Sequence, residues 1–313
     1  MTLDIGLVGA GGMMEVHRSN LVDHDANVVG VCSRTEESAA AMAGPHDAPA
    51  FTDHERLYDE TAPDAVLIAV PPFAHTGQEL SAAERGIDFL VEKPLALSRE
   101  YAREVAAAVG DAGVVTQVGH QFRYADVVER AVDLVEDRTL GLVEGRWVDA
   151  VAPLPWWTQK GESGGQLVEQ STHVFDLIRH FVGDVSEVSA YGGQRVVTDD
   201  IDFADSSVAA MRHESGAVSQ VASTSASPEK DVSLELAGEG CRLELDLAAH
   251  TLRGSVDGES VEQQAAETHY ADQLGAFLDA VEAGEPSRPR SPYHDALRTF
   301  ELTLDVDAAL DGS

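Results

Sequence analysis

The sequence predicts an α/β protein in which a doubly wound parallel sheet is followed by an α+β domain with a large, mostly antiparallel sheet. Short apolar runs alternate with helical patterns up to Gly119–His120, as in right-handed βαβ units. A glycine-rich turn joins the first run to the first helical pattern. From about residue 185 alternating runs follow one another with turn signals between them, which is typical of hairpins.

Five apolar runs predict the strands of the first sheet. They are residues 2–9, 27–32, 65–70, 89–91 and 114–118, with helical patterns at about 12–23, 74–85 and 98–109. The run Ala65–Val70 is continuously apolar, as expected for a parallel strand that is buried on both faces.

The second half predicts a different arrangement. Helical patterns cover about 124–136, 165–182, 267–282 and 293–309, strand-like runs cover 142–150, 185–192, 204–213, 217–224, 231–237, 241–247 and 250–255, and a Pro/Trp/Gly-rich loop covers 151–165. A chain of 313 residues suggests two domains at about 100–200 residues each. We place them at 1–121 and 122–313, with the last helix as a candidate to pack back on the first domain.

The composition excludes several classes of protein. A formal net charge of −34 argues against nucleic acid and anionic membranes as partners, and no apolar run reaches the roughly 18 residues of a membrane span. Two cysteines, Cys32 and Cys241, make neither a disulfide framework nor a zinc site, so we expect no metal. The N-terminus lacks the basic start of a signal peptide, which favours a cytoplasmic location.

The acidic surface predicts a requirement for salt. Asp and Glu number 55, whereas Lys93, Lys160 and Lys230 are the only lysines; this pattern resembles proteins of extreme halophiles. Carboxylates at this density repel one another, and salt screens the repulsion. We therefore expect the melting temperature to rise from dilute buffer to molar KCl, and an unchanged value would indicate an ordinary acidic protein instead.

A glycine turn predicts a bound dinucleotide. Gly9, Gly11, Gly12 and Met13 follow the first strand and open a helix. The first glycine permits the tight turn, and the second lets the backbone approach a pyrophosphate at the helix N-terminus. A plain tight turn is the alternative, but the strand–turn–helix setting favours a dinucleotide-binding Rossmann domain.

The end of the second strand indicates which dinucleotide is bound. NAD sites place Asp or Glu there for the ribose 2′-hydroxyl, but this strand ends in Ser33, Arg34 and Thr35. The Arg34 guanidinium group can pair with a 2′-phosphate, and the Ser33 and Thr35 hydroxyls can hydrogen-bond to the same phosphate. The sequence therefore favours NADP, and the alternative is that Arg34 is solvated and NAD binds equally well.

Four further motifs give the sequence a family resemblance. After the glycine turn and His17 come Val70-Pro71-Pro-Phe-Ala-His75, Glu92-Lys93-Pro94, Gly119-His-Gln-Phe-Arg123-Tyr124 and the helical stretch 164–177 with Glu169-x3-His173. In this order the set resembles the Gfo/Idh/MocA oxidoreductase family, from residue 3 to about 183 and weakly beyond.

The resemblance implies a fold, an activity and a set of site residues. It implies a Rossmann domain joined to an open-faced, mostly antiparallel sheet that binds substrate and forms dimers or tetramers. The implied reaction is nicotinamide-dependent oxidation or reduction of a sugar, cyclitol or related polyol, with Lys93, Glu169 and His173 as catalytic residues. Glu169 replaces the more familiar Asp, and Pro71-Pro72 replaces Pro-Asn.

The candidate catalytic residues suit alcohol oxidation. Histidine is a good base because its pKa lies near neutrality, and Glu169, four residues before His173, would share its helix face and support it. The Lys93 ammonium group would stabilise an alkoxide. We expect the two nitrogens to converge beside the nicotinamide ring. A solvated helix face is an equally good interpretation of the Glu–His pair.

Other residues are assigned to the cofactor or the substrate. Pro71, His75 and Glu92 follow predicted strands at the carboxyl edge of the sheet, where dinucleotides bind, although a structural histidine is an equal alternative for His75. Candidates for substrate binding are Lys93, Arg123, Trp157, Lys160 and Asp176. Indole faces stack on sugars, but a tryptophan can also anchor a loop in the core, Arg123 can instead tie the domains together, and Asp176 can pair locally.

These residues favour an NADP-preferring dehydrogenase or reductase acting on CH–OH groups of a sugar-like substrate. One alternative is an NAD-dependent glycosidase that oxidises its substrate transiently. Another is a non-enzymatic NADP-binding sensor, which would need no general base.

Overall fold

The structure is a computed structural model that describes residues 2–311. Contacts divide the chain into two compact units. The first contains the chain up to Gln121 and the segment Tyr270–Leu297; the second contains Phe122–His269 and the chain from Arg298 onward. The segment Tyr270–Leu297, which the sequence placed in the second domain, contributes Leu274, Phe277 and Leu278 to the core around the first sheet.

The first unit contains a six-stranded parallel sheet. Its strands are β1 (Leu3–Val8), β2 (Ala26–Cys32), β3 (Ala50–Phe51), β4 (Ala65–Ile68), β5 (Asp88–Val91) and β6 (Thr116–Val118), and its helices are α1 (Gly12–Leu21), α2 (Glu36–Ala43), α3 (His54–Thr61), α4 (Gln78–Glu84) and α5 (Arg99–Ala112). The order β3-β2-β1-β4-β5-β6 is that of a Rossmann domain and confirms the predicted doubly wound sheet.

The later elements alternate between helices and long strands. The helices are α6 (Asp126–Val135), α7 (Lys160–Ser163), α8 (Gly165–Glu169), α9 (Thr172–Val182), α10 (His269–Ala283) and α11 (Tyr293–Asp311). The strands are β7 (Leu140–Ala150), β8 (Val185–Gly193), β9 (Ser206–His213), β10 (Val218–Thr224), β11 (Ala226–Gly238), β12 (Cys241–Asp246), β13 (Thr251–Val256) and β14 (Glu259–Gln264).

The large sheet has eight strands in the order β14-β13-β12-β11-β7-β10-β9-β8. Only β7 and β10 pair in parallel, which confirms the predicted, mostly antiparallel sheet. One face packs on α9, and Gly145 in β7 makes this possible because an added Cβ would lie 2.3 Å from the Val174 side chain. Alternate residues point to the other face, where Leu142, Val208 and Val218 are exposed.

The predicted helix 165–182 is instead two helices, α8 and α9, interrupted at Gln170–Ser171. Glu169 ends the first and His173 lies in the second, so they do not share one face of a single helix as predicted. Side-chain bonds to the sheet explain the interruption: Trp147 Nε1 donates to Gln170 Oε1 at 3.1 Å, and the Ser171 and Ser223 hydroxyls lie 2.8 Å apart. These bonds fix the segment against the strands.

Five of the labelled elements were absent from the sequence-based prediction. They are the helices α2, α3 and α7, the last of which lies in the predicted loop 151–165, and the strands β3 and β14. In α3 only Leu57 and Tyr58 are buried, so its apolar periodicity is too weak to predict a helix. Of the helices in residues 2–311, none is long and apolar enough to cross a membrane.

Candidate active site

The glycine turn forms a cradle that fits a dinucleotide. Gly9 has φ of +117°, and an added Cβ would lie 2.1 Å from the Ala69 carbonyl oxygen. Gly11 caps α1, and neither it nor Gly12 has an atom within 4 Å of an added Cβ. The space beside these two glycines at the helix N-terminus is therefore open, which suits the close approach of a pyrophosphate. Met13, next in α1, is half-buried.

The residues after β2 present one exposed cation. The Arg34 side chain is exposed, whereas Ser33 is half-buried. The Thr35 hydroxyl caps α2, accepting from the Ser38 backbone N–H at 3.2 Å and donating to the Ser38 hydroxyl at 2.8 Å. Of the two hydroxyls predicted to assist Arg34, that of Thr35 is therefore engaged in the helix cap.

Glu92, directly before Lys93, has a buried partner. Its Oε1 lies 2.8 Å from His17 Nε2, and both side chains are buried. Position 119, which faces the Glu92 carboxylate, has room only for glycine, because a Cβ added to Gly119 would lie 2.3 Å from Glu92 Oε2. The pair ties α1 to the segment that carries Lys93, which is itself half-buried.

His75 contacts a second buried carboxylate. Its Nδ1 pairs with Glu79 Oε1, and the Tyr101 hydroxyl donates to Glu79 Oε2 at 2.8 Å. Burial opposes ionisation of Glu79, but the charge of His75 and these hydrogen bonds outweigh it and lower the pKa of Glu79. The His75 side chain is 1% exposed, a placement that favours the structural alternative. Pro71 is half-buried before a short 3₁₀ turn, Pro72–Ala74.

His173 lies in the first turn of α9 between two aromatic rings. Its imidazole stacks on Trp147 with centroids 5.7 Å apart and meets Phe122 edge-on at 5.4 Å. The side chain is buried. Trp147 and Phe122 were not predicted site residues; the sequence placed Trp147 only in the strand-like run 142–150 and Phe122 only in the motif at 119–124. Together the rings fix the plane of the imidazole.

The Trp157 side chain contacts Glu169 and is not exposed to solvent. Its Nε1 donates to Glu169 Oε2 at 2.7 Å, and its ring packs edge-on against Phe203 at 5.2 Å. The indole has no exposed surface. This corrects the prediction that Trp157 contacts substrate; it is the tryptophan that anchors the loop. Trp157 thereby fixes one oxygen of the Glu169 carboxylate.

The loop between β8 and β9 packs against Trp157 and is held by hydrogen bonds to Asp205. Asp205 Oδ2 accepts the backbone N–H groups of Arg195, Val196 and Val197 at 2.8, 2.5 and 2.8 Å. Burial opposes ionisation of Asp205, but these hydrogen bonds outweigh it and lower its pKa. The same loop carries Ile201 and Phe203, which form a small apolar cluster with Trp157.

Replacing Asp205 by Asn is expected to lower the free energy of unfolding at neutral pH by about 2 kcal/mol, because a neutral amide binds three N–H groups less well. A carboxyl group with a lowered folded-state pKa contributes its full stability above its ordinary pKa and loses it as pH falls through the lowered value. The difference in stability between wild type and Asp205→Asn should therefore become smaller as the pH is lowered. Thermal melts from neutral to acidic pH test this, with the exposed Asp199→Asn as control; a difference independent of pH would contradict it.

Three predicted substrate-binding residues lie in ion pairs. Arg123 donates to both oxygens of Asp176 at 2.7 and 2.6 Å, and both side chains are buried. The Thr299 hydroxyl donates to Asp176 Oδ1 at 3.0 Å. Lys160 Nζ lies 2.9 Å from Asp307 Oδ2. The structure therefore brings Arg123 and Asp176 together although they lie 53 residues apart in the chain, so Asp176 pairs with a distant segment and not locally as the alternative expected.

Two family models match this chain. Residues 3–120 match the model described as the oxidoreductase family with an NAD-binding Rossmann fold, and residues 128–244 match the GFO/IDH/MocA C-terminal domain. The chain belongs to the Gfo/Idh/MocA oxidoreductase family. This confirms the resemblance found in the motifs. Among residues 2–311 no group of three His, Cys, Asp or Glu side chains is placed to hold a metal ion.

Named relatives in this family act on sugars and cyclitols. The chain is 28% identical over 316 residues to D-xylose 1-dehydrogenase (NADP(+)) 2 of Haloferax volcanii, covering 96% of this chain and 95% of that protein. It is 30% identical over 196 residues to scyllo-inositol 2-dehydrogenase (NAD(+)) of Bacillus subtilis, covering 59% and 56%. A levoglucosan dehydrogenase complex with NADH has the same fold, with a TM-score of 0.88, 19% identity and coverage of 100% and 98%. The chain is therefore an oxidoreductase with a nicotinamide-dinucleotide-binding domain.

Proposed function

We propose that this protein is an NADP-preferring dehydrogenase that oxidises a CH–OH group of a sugar, cyclitol or related polyol, with His173 as general base. The observation that carries the proposal is the placement of His173. It is a buried imidazole fixed by two aromatic rings, four residues after a carboxylate that Trp157 holds. The exposed Arg34 after β2 supports NADP, because a guanidinium group pairs with a 2′-phosphate.

Separate residues of the chain are assigned to the two phosphate-containing parts of the cofactor. Gly9, Gly11 and Gly12 hold the pyrophosphate on the N-terminus of α1, and Arg34 binds the 2′-phosphate. When bound, the cofactor supplies a hydride acceptor.

His173 takes the proton of the substrate hydroxyl. Lys93 stabilises the negative charge that develops on the substrate oxygen. Glu169 supports the protonated imidazole, and Trp157 keeps its carboxylate in place. We assign Arg123, Asp176 and Lys160 to the framework of the second unit on the basis of their ion pairs.

A panel of sugars and polyols tests the proposal. The purified protein, in molar KCl, is given D-xylose, levoglucosan, scyllo-inositol and related compounds with NADP⁺ and NAD⁺ in turn, and absorbance at 340 nm is followed. We expect reduction of NADP⁺ with at least one compound and a weaker preference for NADP⁺ in Arg34→Ala. No reduction with any compound would contradict the proposal, and substrate consumption without net reduction would support the glycosidase alternative.

A further inference from the structure

An irregular segment of β11 lies opposite a single residue of β7. Ala226 pairs with Ala150 and Asp231 pairs with Val148, so that residues 227–230 of β11 face Asp149 alone. We call residues 227–230 the β11 bulge. Such bulges bend a strand and re-aim its side chains, and they are frequent beside active sites.

The β11 bulge is an ordered structure. The Ser227 hydroxyl donates to the Glu229 carbonyl at 2.8 Å and accepts the Glu229 backbone N–H at 3.2 Å. Pro228, which has no N–H to offer a neighbouring strand, occupies a position where none is needed. These bonds fix the backbone of the bulge directly before its last residue, Lys230.

Lys230 lies over the tryptophan that stacks on His173. Its Nζ is 5.4 Å from the centre of the Trp147 ring and 3.5 Å from Asp149 Oδ2. The same indole stacks on the His173 imidazole at 5.7 Å. One ring thus connects the proposed general base with an ion pair that water reaches, since the Lys230 and Asp149 side chains are 53% and 24% exposed.

We propose that Lys230 and Asp149 bind two neighbouring hydroxyl groups of the substrate and so select polyols with a vicinal diol; this rests on the proposed function. An ammonium group has only donors and an ionised carboxylate only acceptors. A diol satisfies both, because one hydroxyl oxygen accepts from Lys230 while the other hydroxyl donates to Asp149. The Asp149 carboxylate would repel a substrate anion, and the Lys230 ammonium group would repel a substrate cation. The pair therefore favours neutral hydroxyl groups over charged groups of either sign.

Kinetics of Lys230 variants test the inference. The probes are D-xylose, levoglucosan and scyllo-inositol, and the readout is kcat and KM at 340 nm in molar KCl. Lys230→Met keeps most of the side-chain stem but loses the charge, and we expect it to raise KM by about tenfold while kcat changes little. Lys230→Arg, which keeps a cation over the indole, should restore most of the affinity. Arg253→Met is the matched control, because Arg253 is an exposed cation of the same sheet paired with Glu262.

Singly deoxygenated forms of the accepted probe identify the hydroxyl concerned. The analogue that lacks it should have the same KM with wild type and Lys230→Met, while the other analogues still distinguish them. An unchanged KM for Lys230→Met, or a KM that rises equally for every analogue, would overturn the inference and leave the proposed function intact. Absence of turnover of every probe by the wild type would overturn both.

Discussion

His173→Gln is expected to lower kcat by about 10²–10⁴-fold, the usual contribution of a positioned general base. Glutamine is close in length to histidine and retains a polar end, but it cannot take up a proton at neutral pH. Because His173 is buried between Trp147 and Phe122, the variant will also lose some packing. The melting temperature and NADPH fluorescence must therefore be measured beside kcat, to separate loss of the base from loss of the fold.

A second histidine of the same helix provides the control for His173. His180 lies in the last turn of α9 and is exposed. We expect His180→Gln to retain wild-type turnover in the same salt. Turnover of His173→Gln within a few-fold of wild type, with normal cofactor binding, would remove His173 from the role of base.

Lys93→Ala is expected to abolish most turnover while cofactor binding survives. The loss should be about 10²–10³-fold, as for removal of a single group that stabilises a developing oxyanion. Lys93 follows Glu92, which His17 anchors through a buried 2.8 Å contact. The backbone at this position is therefore supported independently of the lysine side chain, and the fold should tolerate its removal.

The measurement for Lys93 pairs turnover with binding. NADPH titration followed by fluorescence should give nearly the same affinity for Lys93→Ala and wild type, whereas absorbance at 340 nm shows the loss of turnover. Arg56→Ala removes an exposed cation of the same unit, which is paired with Glu60. It should leave both the NADPH affinity and the turnover unchanged. Activity of Lys93→Ala within a few-fold of wild type would show that Lys93 does not stabilise the alkoxide.

The strands and the glycine turn could be predicted because their signals are local. The run Ala65–Val70 is apolar throughout since β4 is buried within a parallel sheet. Gly9 lies where the chain needs a positive φ and a close approach to Ala69. In contrast, α8 and α9 were predicted as one helix, because the bonds from Trp147 and Ser223 that interrupt it come from distant strands.

The partners of the site residues were less predictable than the residues themselves. Glu79 gave no sequence signal, although it is the carboxylate that pairs with His75. The relation of Lys230 to Trp147 depends on a bulge that appears only when β11 pairs with β7. A single sequence places residues along a helix or strand but does not show which separate elements will meet.

The sequence by itself determined the order of most of the longer strands and helices, the dinucleotide turn and the motifs that identify the family, because each depends on neighbouring residues. Only the tertiary structure decided what the polar side chains contact. Trp157 donates a hydrogen bond to Glu169, and Arg123 forms an ion pair with Asp176. The Trp147 ring stacks on His173. The physical reason is that these contacts join segments far apart in the chain, and burial of one partner determines whether the other faces protein or solvent.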